Sequence, residues 1–141
     1  MPRWVLNRTS RAFTSDATGL IILGVAAIVR AISYAPGLVN VDRSPAHWLE
    51  GLLPAPAWSL MWLGIAVVCV AAIIAPRLLP VAVGLTVAIN VLWGLSFVGI
   101  TITGDSSRGY VSALGYFAVA FLAMWGFGRG RDVMVEHVEK E

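Results

Sequence analysis

The chain has 141 residues, of which 58% are hydrophobic and only 13% charged, with a formal net charge of +2. Soluble domains are typically ~45–50% apolar and ~25% charged, so this composition belongs to a membrane protein with no room for a separate soluble domain. The small net charge argues against nucleic acid as a partner, and the single cysteine, Cys69, excludes an internal disulfide.

The opening residues carry Arg3, Arg8 and Arg11 against one acid, Asp16, a positive flank for the first apolar stretch. A first span is expected over residues 17–35, capped by Thr14, Ser15 or Asp16 and stopped by Pro36-Gly37. Its anomaly is Arg30, since a charge near mid-bilayer costs at least ~2.5–3.5 kcal/mol on insertion scales. Two readings stay open. Arg30 lies within ~9 Å of helix from Pro36 and can snorkel outward; or it forms an intramembrane polar pair with Asn90, whose amide oxygen can accept from the guanidinium.

The next loop, residues 37–54, contains Ser44-Pro45, an N-cap followed by proline at the first helical position. A short helix lying in the outer interface is expected here, with Trp48 as its anchor. Asp42, Arg43, His47 and Glu50 read as the solvated side of that loop. The second span, 55–75, opens with Pro54 and Pro56 and closes at Pro76. Trp58 and Trp62 share one helix face near its start and read as further interface anchors.

After the tight turn Pro76-Arg77 comes the third span, 79–103, which holds no formal charge. Asn90 sits near its midpoint, and Gly84, Ala88 and Gly94 offer positions for close helix packing. A short polar loop carries Asp105 and Arg108; Arg108 either snorkels at the outer interface, pairs with Asp105 or meets a lipid phosphate. The fourth span, 110–127, begins beside Gly109, Ser112, Gly115 and Ala118, whose three-residue spacing predicts a packing face. Trp125 marks its inner end, and residues 128–141 form a mixed-charge cytoplasmic tail.

The fold expected is all-α and integral to the membrane: a four-transmembrane-helix antiparallel bundle with a short interfacial helix in the first outer loop, all within one membrane domain spanning 1–141. Arg3, Arg8, Arg11, Arg77, Arg129 and Arg131 fall on one side, Arg43 and Arg108 on the other, so the positive-inside rule places both termini in the cytoplasm. The usual catalytic constellations are missing from the sequence. There is no phosphate-binding glycine loop, no intramembrane carboxylate pair, no Ser-His-Asp set, and the two histidines, His47 and His137, lie far apart. No enzyme, cofactor or metal site is expected, and Cys69 reads as a small buried hydrophobe. The expected partners are the lipid bilayer, further copies of the chain, and an unidentified membrane or cytoplasmic protein.

Two strings stand out from the lipid-facing residues: Trp93-Gly94-Leu95-Ser96-Phe97, and Ser107-Arg108-Gly109-Tyr110-Val111-Ser112-Ala113 with Tyr116 three residues on. Together with the aromatic-rich Pro56-Ala57-Trp58-Ser59-Leu60-Met61-Trp62, they resemble small four-span membrane proteins of actinobacterial phages, over roughly residues 48–120. The resemblance implies a protein of the bacterial plasma membrane, often encoded near lysis or tail genes, and supplies no catalytic residues. A holin-like action is the resulting expectation: accumulation, oligomerisation through small-residue faces and permeabilisation. The alternatives are a non-enzymatic interaction protein, such as a superinfection-exclusion factor or accessory subunit, and a small channel or carrier with Arg30 attracting anions.

Overall fold

The structure, a computed structural model, describes residues 3–37 and 44–138. Its α-helices are α1 (Arg3–Ser33), α2 (Ala55–Ile74), α3 (Leu79–Ile102) and α4 (Gly109–Val138), with 3₁₀ turns at Glu50–Leu52 and Pro76–Leu78. Four stretches are long and apolar enough to cross a membrane: Asp16–Ser33, Ala55–Ile74, Pro76–Ile102 and Gly109–Gly128. The expected spans agree with these to within a few residues. Thr14, Ser15 and Asp16 cap nothing, because α1 runs through them from Arg3. At the other end α4 continues past the span to Val138, so the expected tail is helical there.

Local chemistry explains the breaks. Proline at the second position of α2 and of α3 is tolerated because the first turn has no intrahelical acceptor to lose. Ala75, just before Pro76, is pushed out of the helical region to φ −120° and ψ 88°, which ends α2 and turns the chain into α3. Gly104 adopts φ +82° after α3, a left-handed position that lets the Ser106 N–H reach back to the Ile100 carbonyl at 3.2 Å. Leu52 ends a single 3₁₀ turn, so the expected short interfacial helix is one turn only, and Ser44 lies outside it. Asp42 and Arg43, read as part of that loop's solvated side, lie outside the described residues.

Consecutive helices pack side by side in opposite directions. Ser59 Oγ near the start of α2 donates to the Ala31 carbonyl near the end of α1 at 2.8 Å, and Cys69 Sγ approaches Thr86 Oγ1 at 3.8 Å between α2 and α3. The α1–α2 and α3–α4 interfaces are the most extensive, α2–α3 is narrower, and α1–α4 is slight. The molecule is thus two tight hairpins joined at Pro76, with a slack seam where α1 meets α4.

Outward faces are apolar: Ile74 is 82% exposed, Ile102 80% and Leu60 69%. Apolar exposure on this scale is costly in water and natural in lipid, where helix association rests on close packing instead. On α4 as far as Gly128, the buried residues are Gly109, Ala113, Tyr116, Ala120 and Ala123, alternating four- and three-residue steps along one seam. That pattern corrects the three-residue reading: Gly109 packs inward, Ser112 is partly buried, and Gly115 and Ala118 face outward. On α3, Gly94 is buried against Phe117, while Gly84 and Ala88 are exposed.

The glycines differ in what they permit. A Cβ on Gly109 would lie 2.8 Å from the Phe97 carbonyl oxygen, which is backbone and cannot swing away. At Gly94 the obstacle is the Phe117 ring at 2.7 Å, and at Gly84 nothing lies within 4 Å. Gly109→Val is therefore expected to destabilise the bundle by about 1–3 kcal/mol, as overpacking does. Gly94→Ala should cost less, and Gly84→Ala should stay within about 0.5 kcal/mol of the parent. Thermal unfolding of the three variants in detergent checks that order.

Candidate functional site: an aromatic cluster beside a polar cavity

Four features converge at the end of the bundle that carries the α1–α2 and α3–α4 loops. Trp93 of α3 is 1% exposed. Around it, Trp58 (4.6 Å, 86°), Trp62 (5.5 Å, 74°) and His47 (5.5 Å, 83°) all present edges to faces. Such geometry aligns ring edges with the negative face of the neighbour and contributes ~0.5–1.5 kcal/mol per pair beyond area burial. Trp58 and Trp62 are 4% and 3% exposed, so the reading of both as interface anchors is corrected: they are the core. Trp48 and Trp125 do have exposed rings, and Trp48 packs its indole nitrogen beside Gly99.

The loop is folded onto this cluster rather than solvated. His47 and Glu50 are buried. The Trp58 indole N–H donates to the Glu50 carbonyl at 3.0 Å, pinning the 3₁₀ turn to α2. The Glu50 carboxylate accepts from the Ala46 amide, and the Glu50 amide donates to His47 Nδ1 at 3.3 Å. With Nδ1 accepting, the neutral ring carries its proton on Nε2. His47 also sets its ring 4.6 Å from that of Phe97.

From Phe97 the stacking continues across to α4 and α1. Phe97 and Tyr116 lie parallel at 5.6 Å and 16°, and the Arg30 guanidinium sits 4.5 Å above the Tyr116 ring. Cation–π contact of this kind offsets part of the cost of a charge in the span, ~0.5–2 kcal/mol. Arg30 and Asn90 line the same cavity, of about 340 Å³, but no hydrogen bond joins them. Asn90 Nδ2 instead donates to the Thr86 carbonyl at 2.8 Å on its own helix. Thr86, Ser96 and Thr101 likewise bond carbonyls three or four residues back at 2.7–2.9 Å, so α3 satisfies its polar side chains within itself.

All four helices contribute to the cavity, and its exposed lining residues, Ala26, Arg30 and Gly115, place the mouth on the α1–α4 seam. Ser112 and Trp62 also face it. Among the described residues, Trp62 Nε1 is the buried side-chain nitrogen or oxygen left without a hydrogen-bond partner. Chemically, then, the cavity offers one cation and a surplus of donors between apolar walls. Arg108 is exposed and makes no ion pair with Asp105, whose carboxylate instead accepts from Thr103 Oγ1 at 2.6 Å.

Among the described residues, no group of three or more His, Cys, Asp or Glu side chains is placed to hold a metal ion. Sequence reasoning misses the buried positions of His47, Glu50 and Tyr34; only the Tyr116 position on the four-three seam of α4 is signalled by spacing. By length, composition and helical packing, these features define a multi-pass α-helical membrane protein. No protein-family model, curated protein or solved structure matches the chain.

The loop clasp and the ring cluster separate in mutants. Trp58→Phe keeps a ring but removes the donor to Glu50, and should cost about 0.5–1.5 kcal/mol while opening the 44–53 segment to protease. Trp93→Ala should cost about 3–5 kcal/mol, read as loss of thermal stability in detergent.

Proposed function

We propose that the chain is a non-enzymatic protein of the bacterial plasma membrane, with both termini cytoplasmic, that self-associates in the bilayer and permeabilises it in a holin-like manner. The observation that carries this reading is the outward position of Gly84 and Ala88, one turn apart on α3. Gly84 also lines an apolar groove of about 360 Å³ between the start of α3 and the end of the apolar span of α4, with Val83, Val87 and Met124. In lipid, where helices gain no hydrophobic drive toward one another, an open small-residue face is where a second helix approaches closely. Gly94, expected at such a contact between copies, is already occupied by Phe117 within the chain and is not used for it. The excess of arginine at the termini and at Arg77 supports the orientation.

A second reading, a non-enzymatic interaction protein, is favoured by Trp48 and Leu52, which are 60% and 64% exposed on the folded loop and available to a partner. One experiment separates the two. On induction in a bacterial host, the holin-like reading expects abrupt loss of membrane potential after a lag, and cross-linked oligomers that Gly84→Leu abolishes without preventing insertion. Sustained growth with an intact potential defeats permeabilisation and leaves the interaction reading. Full-size oligomers from Gly84→Leu defeat the assignment of the α3 face.

A further inference from the structure

The slack α1–α4 seam has a property independent of self-association. We propose that the cavity at Arg30, and the groove continuous with it, hold one anionic phospholipid of the surrounding bilayer. Its phosphate lies at the guanidinium and one acyl chain runs along the seam.

Charge comes first. Among the described residues, Arg30 is the one formally charged side chain lining the cavity. Among the described residues it forms no ion pair and rests on the face of the Tyr116 ring, which carries no formal charge. A cation held this way in a low-dielectric surround favours an anion beside it. Two acids bear on the site. Asp16 lies at the seam's far end, ~21 Å from Arg30 at the helical rise. Glu50, close enough to act on Tyr116, turns its carboxylate to the Ala46 amide and lines neither cavity nor groove.

The donor set points the same way. A guanidinium and an indole N–H can only donate, and the Trp62 N–H has no acceptor among the described residues. Phosphate oxygens only accept, so the two surfaces are complementary. A zwitterionic headgroup adds a cation for which the described lining residues supply no acid.

Shape selects a lipid over a free phosphate. The cavity shares Leu23 and Val119 with an apolar groove of about 450 Å³ between α1 and α4, which runs on to Gly19 and Gly126. Gly19 lies eleven residues before Arg30 on α1. That is ~16 Å at the helical rise, close to half of the ~30 Å hydrocarbon core and so to the depth of one leaflet. A free phosphate leaves that length unfilled; an acyl chain fills it.

The test is native mass spectrometry of the full chain in detergent, titrated separately with phosphatidylglycerol, phosphatidylcholine and palmitate. The parent protein should retain one phosphatidylglycerol per chain and hold phosphatidylcholine about tenfold more weakly, because the choline adds a second positive charge beside Arg30 with no acid to meet it. Arg30→Gln should erase that preference. Val119→Phe, at the junction of cavity and groove, should weaken both phospholipids while leaving Arg30 in place; circular dichroism confirms that each variant is folded. Equal retention of the two phospholipids by the parent overturns the proposal, as does an unchanged preference in Arg30→Gln. Palmitate bound ahead of phosphatidylglycerol overturns the phospholipid as occupant. None of these outcomes bears on self-association, which cross-linking reads separately.

Discussion

Trp93 is the point through which the helices are tied together. It receives ring edges from two residues of α2 and from His47 of the loop, and its neighbour one turn on, Phe97, passes the contact to Tyr116 of α4 and so to Arg30 of α1. In water, burying that much aromatic surface would itself drive collapse. In lipid the alternative solvent is equally apolar, so what remains is dispersion between well-fitted rings and their edge-to-face electrostatics. Large rings concentrate many such contacts in few residues. That explains how spans that otherwise present mostly aliphatic faces to their surroundings hold a definite arrangement at this end.

The opposite strategy operates along α3 and α4, where small residues replace large ones. Gly109 lets the two backbones approach until no Cβ fits, and the alanines beyond it keep the helices close along the seam. Among the described residues, hydrogen bonds between helices are few by comparison. The serines, threonines and Asn90 of α3 bond their own preceding turns, which lowers the polar cost of insertion but contributes little to choosing a neighbour. Neighbour choice is left to shape: rings at one end, close backbones along one pair, and little of either between α1 and α4.

The spans are legible in the sequence because length and apolarity are properties of a single helix, readable without knowing its neighbours. Facing direction is a property of pairs, and there the sequence is ambiguous. Tryptophan near the start of a span suits the interface and the interior equally by type. The one available signal is depth, since Trp62 lies seven residues into α2, ~10 Å below its start and too deep for a belt. Glycine is ambiguous for the same reason: Gly94 and Gly84 are alike in sequence, but one is covered by Phe117 and the other faces outward. The Arg30 contact with Tyr116 is hidden too, because an aromatic face reads as packing surface while amides and acids read as partners for a charge. His47 and Glu50 look solvated by polarity alone, though a loop that folds back can satisfy both through its own backbone.

The clasp between Glu50 and the tryptophans has a bearing on how the chain is made. Trp58 is translated soon after Glu50, but Trp93, against which His47 rests, emerges only after the turn at Pro76. The loop's polar side chains must therefore wait in water, and settle only once the third helix has been inserted. Biogenesis leaves for last a segment that was synthesised early, and until then the α1–α2 hairpin stands in the bilayer with its ring surface unroofed.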